Sequence, residues 1–537
     1  MPHLTGAKAT IATLRAHNVD TIFGIPGVHT LPLYDAMRDE VGLRHILARH
    51  EQGAGFMADG YARASGRVGV VSTITGPGVT NVATPVANAY ADSVPLLVIS
   101  SSLPRSSTSR PAGKLHELKD QLGLMEALAG WTRAVEFVEE IPTALLDAFR
   151  VLRSGRPRAA YLQIPLDLLA LEADVEIPAP AMAVSARPSE QDIATTVRLL
   201  REARRPLIVA GTGVTAADAN AQLAHLAELL KAPVLLGSKS HDVLPSDHPL
   251  VIGVRGYPSL TELRALVSES DAVLVVGSKL GGVRTGNGRL PLSAALAQID
   301  IDPAEIGRNY PVAVGVVADA RLALDALLEA LYDLPGDRPS RVNEVAVVRE
   351  ALRKRIPQVF GESVAMLDAV REGVPREGVI VADMTVLGYA SAEYLPVYEP
   401  RTYIHPAELC SIGCGLPMAL GARVAAPERP VVALCGDGGF LLNVGELATA
   451  VQEKIDVVIV VFNDATYTAV KNDQYQHFNR RYIATDLLAP DYVTLARAFG
   501  ADGVYANSPD ALRDAISTAI HRPGTTLIEV PISPRQW

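Results

Sequence analysis

A glycine-rich turn with an aspartate, followed one predicted helix later by a second aspartate, is the strongest chemical signal in this sequence. Gly436, Asp437 and Gly438 directly follow a β-branched apolar run, and Asp464 follows the next such run. Because parallel strands end at the same edge of a sheet, we expect both carboxylates to meet there. Glycines let backbone amides approach a phosphate, and the next helix adds its positive N-terminus. Two carboxylates and phosphate oxygens together suit Mg²⁺.

A Gly-Asp-Gly sequence alone is a common turn that binds nothing. Here a second polar cluster, residues 463–466, stands at the end of the next predicted strand, which favours a ligand site over a plain turn. Gly439 extends the glycine turn, and we include it among the predicted phosphate-binding residues.

A third carboxyl group, Glu51, opens a predicted helix near the start of the chain. The segment from Arg49 to Arg63 is rich in small residues, which indicates close packing against another element. Considered alone, Glu51 is a helix-start carboxylate stabilised by the helix dipole. A buried carboxyl group of raised pKa would instead serve acid–base chemistry. Beside a phosphate-binding turn, the second interpretation is favoured.

Short β-branched runs alternate with amphipathic segments along nearly the whole chain. This alternation predicts α/β domains with doubly wound parallel sheets. Two aperiodic stretches, 172–190 and 333–343, are interpreted as linkers. They divide the chain into predicted domains at 1–172, 188–332 and 350–537. The predicted strands include Val68–Thr73, Leu96–Ser100, Leu207–Ala210, Val273–Val276, Val379–Ala382, Val431–Leu434 and Val457–Phe462.

Composition excludes several classes of function. The 537 residues are 48% hydrophobic and 20% charged, which is typical of a soluble protein of several domains. The net charge of −10 argues against a general binder of nucleic acid or of anionic membranes. We find no signal-peptide pattern and no apolar run near the roughly 20 residues that span a bilayer. Cys410, Cys414 and Cys435 fit a reducing cytoplasm and are predicted to be buried structural thiols.

Taken together, the motifs resemble those of the thiamin-diphosphate-dependent acetolactate synthase and 2-oxo acid decarboxylase superfamily. The run from Gly436 to Asp464 resembles the family's GDG motif, which ends in two asparagines where this chain has Asn463 and Asp464. His50–Arg63 resembles the segment that carries the family's catalytic glutamate. Further segments resemble family motifs in the same order along the chain: Phe23–Gly27, Thr75–Asn81, Ala91–Leu97 and Ser411–Ala422.

The resemblance implies a pyrimidine-binding domain, a Rossmann-like middle domain and a diphosphate-binding domain. It implies that Asp437, Asp464 and the backbone carbonyl of Thr466 bind Mg²⁺. It also implies that Glu51 activates thiamin diphosphate, which itself acidifies its reactive carbon. Ile412 would be the apolar wedge that holds thiamin bent. The other cofactor-binding residues expected are Gly27, Gly76, Asn81, Gly436, Gly438 and Gly439.

Two histidines, His29 and His116, are the candidate polar groups of the substrate pocket. A loop histidine is usually an ordinary polar residue, but in this family the residues after the early turn line the reacting carbon. His116 falls where acetolactate synthases place an active-site glutamine. Three segments resemble the 5-guanidino-2-oxopentanoate decarboxylases: Phe23–Thr30, Leu115–Gln121 and Arg308–Pro311. We therefore expect a decarboxylase or carboligase acting on a small 2-oxo acid or aldehyde.

The segment after Asp464 differs from that of acetolactate synthases. Ala469 and Asp473 stand where those enzymes carry the Met and Trp that shape the pocket for a second 2-oxo acid. An acidic Asp473 favours a polar or cationic substrate tail, unless it simply faces solvent. Acetolactate synthase remains the alternative function. A non-catalytic nucleotide-binding or regulatory chain is a third, which the intact Glu51, Asp437 and Asp464 argue against.

The sequence carries fewer signals for the ligand of the middle domain and for the oligomeric state. Gly211-Thr212-Gly213 is half of a dinucleotide fingerprint, and some relatives bind FAD or ADP in this domain. Leu280–Gly286 lacks the Arg-Asp pattern of flavin-binding synthases, so FAD is possible but not favoured. In the family the cofactor lies between the first domain of one subunit and the third of another. A homodimer or homotetramer is expected, with no nucleic-acid or membrane partner.

Overall fold

The computed structural model describes residues 1–107, 113–180, 185–253, 260–293, 295–334, 336, 338–361 and 364–533, without the side chains of Val283 and Arg284. Parts of both predicted linkers (181–184, 335 and 337) and the side chains of positions 283 and 284 in the Leu280–Gly286 loop therefore lie outside the described residues. Within those residues, three six-stranded sheets and one two-stranded sheet form. This confirms the prediction of three α/β domains.

The first domain contains a parallel sheet and a short antiparallel ribbon. Its strands are β1 (His3–Thr5), β2 (Thr21–Gly24), β3 (Arg44–Leu47), β4 (Gly69–Thr73), β5 (Leu96–Ser102), β6 (Trp131–Ala134), β7 (Ala159–Pro165) and β8 (Glu172–Asp174). Its helices are α1 (Gly6–Ala16), α2 (Leu31–Arg38), α3 (Glu51–Ser65), α4 (Pro77–Asn81), α5 (Ala83–Asp92), α6 (Gln121–Glu126), α7 (Glu140–Arg153) and α8 (Leu166–Ala170). The sheet order is β3-β2-β4-β5-β7-β6, and β1 pairs with β8.

The middle domain has a different strand order. Its strands are β9 (Pro206–Ala210), β10 (Val234–Leu235), β11 (Val251–Gly253), β12 (Ala272–Val276), β13 (Leu296–Asp300) and β14 (Val314–Val317). Its helices are α9 (Glu190–Glu202), α10 (Gly213–Ala216), α11 (Asn220–Leu230), α12 (Thr261–Ser268), α13 (Gly282–Thr285) and α14 (Ala320–Ala330). The order β11-β10-β9-β12-β13-β14 is that of a Rossmann-like sheet.

The third domain repeats the strand order of the first. Its strands are β15 (Val379–Ala382), β16 (Tyr403–Ile404), β17 (Val431–Gly436), β18 (Val458–Asn463), β19 (Asp502–Tyr505) and β20 (Thr526–Pro531). Its helices are α15 (Val342–Phe360), α16 (Val364–Gly373), α17 (Val386–Tyr394), α18 (Gly415–Ala425), α19 (Asp437–Leu442), α20 (Glu446–Gln452), α21 (Thr468–His477), α22 (Tyr492–Ala498) and α23 (Pro509–Ala519). The order is β16-β15-β17-β18-β20-β19.

The first and third domains pack against each other through α3 and α18. A Cβ added at Gly60 would lie 2.1 Å from the carbonyl oxygen of Met418, and one added at Gly421 would lie 1.8 Å from that of Met57. The contact is reciprocal, and it explains why the segment around Glu51 is rich in small residues. Buried apolar side chains of both domains form one continuous cluster across this contact.

The middle domain keeps its own apolar clusters on the two faces of its sheet. Helix α15, which leads into the third domain, places Val345, Val348 and Leu352 in one of these clusters. The domain limits at 172, 188, 332 and 350 stay a prediction. Within the described part of the chain, no helix is both long and apolar enough to cross a bilayer.

Candidate active site

Polar residues mark the point in the third domain where the strand order reverses, between β15 and β17. Asp383 follows β15, and Gly436 ends β17 directly before Asp437 opens α19. Asp464 follows β18, the next strand in the sheet. Open α/β sheets bind ligands at the carboxyl ends of their strands beside such a reversal. The structure thus places the predicted phosphate turn and both predicted metal ligands where a ligand is expected.

Asp437 has a buried oxygen that lacks a partner. Its side chain is 4% exposed, and within the described residues Oδ2 has no hydrogen-bond partner. Burial, together with the charge of Asp464, raises the pKa of Asp437 to about 6. Burial also raises the pKa of Asp464, against a hydrogen bond from the Thr468 hydroxyl. Asp437 is buried and Asp464 is half-buried, and the charge of Lys471 lowers the pKa of Asp464 in part. Two adjacent carboxyl groups of this kind are a donor set that a hard cation would satisfy.

The glycines beside Asp437 leave no room for side chains. A Cβ added at Gly438 would lie 2.4 Å from Cε1 of Tyr467, and one added at Gly436 would lie 3.0 Å from Oγ1 of Thr385. The turn therefore needs glycine at these positions, and its backbone amides stand at the start of α19, where an anion could be bound. The glycine turn and the carboxylate pair together fit a metal-bound diphosphate.

Thr466 lies beside this pair. Its backbone N–H donates to Oδ1 of Asp464 at 3.3 Å, and its hydroxyl donates to the carbonyl of Thr485 at 2.8 Å. Among the described residues, no group of three or more His, Cys, Asp or Glu side chains could hold a metal ion. A cation here would therefore complete its ligand set with backbone and ligand oxygens.

Ile412 stands on the loop before α18 and is 39% exposed. The buried Asp383 holds this loop, because its carboxylate accepts from the backbone N–H of Gly413 at 3.0 Å and of Gly415 at 3.2 Å. A Cβ added at Gly439 would lie 3.2 Å from Cγ1 of Ile412, so the loop touches the glycine turn. Sequence reasoning missed Asp383. Its place directly after a predicted strand, like that of Asp437, was the available signal.

The same loop corrects one expectation about the cysteines. Cys414 and Cys435 are buried, as predicted, but Cys410 is exposed. Cys410 lies in the irregular chain before α18, at φ +56°, and its Sγ donates to the carbonyl of Ala407 at 3.3 Å. The prediction was wrong there because position 410 precedes the packed helix rather than belonging to it.

Glu51 and Asn81 come together in the first domain. Helix α3 begins at Glu51 because His50 is its N-cap, with Nδ1 accepting from the Gln52 N–H. Glu51 is 8% exposed, and its Oε2 accepts from the Nδ2 amide of Asn81 at 2.9 Å. Glu51 follows β3, and Asn81 ends α4, which follows β4. These two strands flank β2 in the sheet, so their carboxyl ends lie at the same edge. A buried carboxyl group with one fixed partner is suited to handling a proton.

The two glycine turns of the first domain, at Gly27 and Gly76, are tightly packed. A Cβ added at Gly27 would lie 2.1 Å from Cδ1 of Ile74, and Gly76 has φ +72°. The N–H of Gly76 donates to Oε1 of Gln121 at 2.9 Å. A Cβ added at Gly76 would lie 2.5 Å from the carbonyl oxygen of His116. Gln121, to which sequence reasoning gave no role, thus anchors this turn.

The two predicted pocket histidines face each other. The ring centroids of His29 and His116 are 5.2 Å apart, at 63° between planes. The Nδ1 atoms of both are buried, and neither has a hydrogen-bond partner in the described part of the chain. Burial, with a contribution from the nearby His116, lowers the pKa of His29. The structure therefore brings the pair together beside Gly76. Asp473, in contrast, is exposed on α21.

A cavity of about 740 Å³ opens among the three domains. It lies at the carboxyl ends of the middle sheet, where Gly211, Gly213 and Gly277 line it. Neither Glu51 nor Asp437 is among the described residues that line the cavity. The cavity is thus separate from the site above, and the expectation that it holds no flavin stays a prediction.

Family models match along most of the chain. Residues 4–124 match the N-terminal TPP binding domain of thiamine pyrophosphate enzymes, residues 193–327 the central domain and residues 383–530 the C-terminal TPP binding domain.

Similar curated proteins cover nearly the whole chain. A probable 2-ketoarginine decarboxylase of Pseudomonas aeruginosa is 38% identical, over 98% of this chain and 94% of the relative. A probable acetolactate synthase large subunit of Methanococcus aeolicus is 32% identical, over 99% and 92%. The acetolactate synthase isozyme 1 large subunit of Escherichia coli is 31% identical, over 98% and 94%.

Proposed function

The chain belongs to the thiamine pyrophosphate enzyme family, and from that premise we propose that it is a Mg²⁺-dependent 2-oxo acid decarboxylase. The observation that carries the proposal is the buried Oδ2 of Asp437, which has no hydrogen-bond partner among the described residues and lies beside Asp464 at the start of a helix with two glycines in its first turn. Mg²⁺ bound by both carboxylates and by the carbonyl of Thr466 would hold the cofactor's diphosphate. The glycine turn of residues 436, 438 and 439 would bind it through backbone amides.

Bound thiamin diphosphate supplies the carbanion chemistry that lets a 2-oxo acid lose CO₂. Glu51 is the residue to which we assign the proton at the aminopyrimidine ring, because it is buried and held by Asn81. Gly27 and Gly76 would keep the first-domain turns close to the cofactor. Ile412 would support its bent shape from the third domain.

The histidine pair is proposed to handle protons of the substrate and product. His29 stays neutral near pH 7 because its pKa is lowered, so it can accept a hydrogen bond or a proton. His116, one ring away, can supply the second polar contact to the substrate carboxylate or to the departing product. Both stand beside Gly76 rather than on the metal side of the site.

The proposed substrate is a 2-oxo acid with a polar or cationic tail. The Pseudomonas aeruginosa relative is named for a substrate with such a tail. Asp473 is exposed on α21, the helix that follows the metal-binding segment, so its proposed contact with the substrate tail rests on its sequence position and is tested below. Acetolactate synthase is the second candidate, since several similar proteins carry that name.

CO₂ release from a panel of 2-oxo acids, with Mg²⁺ and thiamin diphosphate, tests this function. We expect a basic-tailed 2-oxo acid to be turned over faster than pyruvate, with an aldehyde as the product. The matched variant Asp473→Asn should lower kcat/KM for the basic-tailed acid but not for a neutral acid of equal length. Faster turnover of pyruvate, with acetolactate as main product, would establish the synthase instead.

The working unit is proposed to be a homodimer or a dimer of dimers, in the cytoplasm. Exposed apolar side chains surround both halves of the site: Val28, Leu31 and Leu115 in the first domain, and Leu409, Ile412, Leu441 and Leu442 in the third. Burial of such side chains against a second copy of the chain would remove apolar surface from water. In a shared site, mixed Glu51→Gln and Asp437→Ala chains should recover activity once subunits exchange. Demonstrated heterodimers without activity would contradict it.

A further inference from the structure

Glu446 belongs to the third domain, yet its buried carboxylate bonds to the first. Its Oε1 accepts from the backbone N–H of His50 at 3.0 Å and of Arg49 at 3.1 Å. Its Oε2 accepts from the N–H of Arg49 at 3.2 Å and from the Thr449 hydroxyl at 2.6 Å. Glu446 is fully buried, and α3 begins one residue after His50, at Glu51. The carboxylate therefore lies against the start of the helix that carries Glu51.

The first turn of α3 is fitted to this carboxylate. A Cβ added at Gly53 would lie 2.1 Å from Oε1 of Glu446, so only glycine leaves room. Burying a carboxylate is costly unless donors satisfy it, and here backbone amides and the positive starts of α3 and α20 do so. Burial raises the pKa of Glu446, while its hydrogen bonds from Thr449, Arg49 and His50 act in the opposite direction.

Helix α20 binds the chain before Glu51 at further points. Nη2 of Arg49 donates to Oε1 of Gln452 at 2.6 Å, and Nη2 of Arg44 donates to the carbonyl of Glu453 at 2.9 Å. The third domain thus supports residues 44–50 along the length of α20. Among the described residues, however, Glu446 alone supplies a side-chain acceptor to the backbone amides of residues 49 and 50.

The same carboxylate is close in sequence to the diphosphate half of the site. The N–H of Glu446 donates to the carbonyl of Asn443 at 3.0 Å, and Asn443 lies directly after α19, which Asp437 opens. The Nδ2 amide of Asn443 donates to the carbonyl of Gly413, next to Ile412, at 2.7 Å. One segment, residues 437–446, therefore contains the proposed metal ligand Asp437 and contacts both the loop of Ile412 and the start of α3.

We propose that Glu446 is a positioning residue that fixes the first turn of α3 and thereby the carboxyl group of Glu51. It acts through the backbone of residues 49 and 50 and does not touch the substrate. The inference rests on the proposed function, because it assumes that Glu51 handles the proton of the cofactor's pyrimidine. An interface residue that merely joined two domains would alter stability but not the behaviour of Glu51.

Deuterium exchange at C2 of bound thiamin diphosphate, followed by NMR, separates the two roles. Glu446→Gln keeps the shape but removes the charge and one acceptor. We expect exchange at least about tenfold slower than in wild type, since precise placement governs proton transfer. Cofactor retention after gel filtration should match wild type. The unfolding midpoint should fall in either role, because buried donors lose an acceptor, so it does not decide between the two roles. The matched control is Glu453→Gln, which removes a carboxylate from the other end of α20 and should leave exchange within twofold.

A double-mutant cycle identifies the route of the effect. If Glu446 acts through Glu51, adding Glu446→Gln to Glu51→Gln should slow exchange no further. A Gly53→Ala chain, whose methyl group displaces the same carboxylate, should slow exchange as Glu446→Gln does, and it serves if Glu446→Gln fails to fold.

Two results would overturn the positioning role while leaving the proposed function in place. They are unchanged exchange in both Glu446→Gln and Gly53→Ala, or additive effects in the cycle. Unchanged exchange in Glu51→Gln alone would overturn the proposed role of Glu51 itself, and the positioning role with it.

Discussion

The first and third domains have the same strand order, and α3 corresponds to α18. Gly60 of α3 packs on Met418, and Gly421 of α18 packs on Met57, so the two helices meet as equivalents. Glu51 stands nine residues before Gly60, and Ile412 stands nine residues before Gly421. At corresponding points of one scaffold, the first domain therefore carries a carboxyl group and the third an exposed isoleucine.

The supporting contacts correspond as well, although the chemistry differs. Asn81, at the end of α4, holds the Glu51 side chain, and Asn443, at the end of α19, holds the backbone next to Ile412. In the first domain, the Glu51 carboxyl group has a hydrogen-bond partner, Asn81. In the third domain Oδ2 of Asp437 has none among the described residues. The difference teaches that the Glu51 carboxyl group is held by a side chain of its own domain, whereas a carboxylate oxygen of the third domain keeps its acceptor capacity for the proposed Mg²⁺.

Asp437→Ala should have the largest effect, because it removes a proposed Mg²⁺ ligand from the third domain. We expect the purified variant to lose thiamin diphosphate on gel filtration. Mg²⁺ and cofactor should also no longer raise its unfolding temperature, since a ligand stabilises only the state that binds it. Cofactor content and thermal unfolding measure both effects. Retention of stoichiometric cofactor would refute the metal site.

Glu51→Gln, in the first domain, should slow the reaction without releasing the cofactor. The amide keeps the shape and the bond to Asn81 but loses the ionisable group, so CO₂ release should fall by about 10²–10⁴-fold. Steady-state kinetics measure the fall. Cofactor content, which should equal that of wild type, is the control that separates this variant from Asp437→Ala. Wild-type turnover would remove Glu51 from catalysis.

Gly60→Ala and Gly421→Ala test whether the two glycine contacts between α3 and α18 contribute equally to stability. Each added methyl would meet a backbone carbonyl oxygen, so the helices must move apart, at a cost of about 1–3 kcal/mol in unfolding free energy. Denaturant unfolding should give similar losses for both variants. Gly336→Ala, whose Cβ would meet no heavy atom of the described residues within 4 Å, is the control. Two very different losses would break the equivalence of α3 and α18.

Asp464→Asn should have the smallest effect. An amide oxygen can still bind Mg²⁺, and the change removes a charge that raises the pKa of the neighbouring Asp437. We expect the cofactor to be retained, with the affinity for Mg²⁺ changed by about tenfold or less, an order-of-magnitude figure equal to about 1.4 kcal/mol. Titration of the activity with Mg²⁺ measures it. A loss as complete as that of Asp437→Ala would show that the two carboxylates are equivalent.

Much of the fold was readable from the sequence because its signals are local. The predicted strand Val379–Ala382 coincides with β15, and Val431–Leu434 is the first part of β17. The strand-end rule likewise placed Asp437 and Asp464 together. Such runs are buried on both faces, so their hydrophobicity is continuous and easy to find.

What the sequence did not reveal depends on contacts between distant segments. Glu446 and His50 are almost 400 positions apart, and no periodicity relates them. The support of Ile412 by Asp383, and of Gly76 by Gln121, is also set by packing between loops. Cys410 was misjudged for the same reason, because burial near a helix start depends on which neighbours cover it.

Binding of thiamin diphosphate with and without Mg²⁺, measured by isothermal titration calorimetry on the metal-free protein, tests the central claim most directly. We predict one cofactor bound per chain when Mg²⁺ is present, and binding weakened beyond detection when the metal is chelated. Equal affinity in the two conditions, or no binding in either, would contradict the assignment of Asp437 and Asp464 to a metal-held diphosphate.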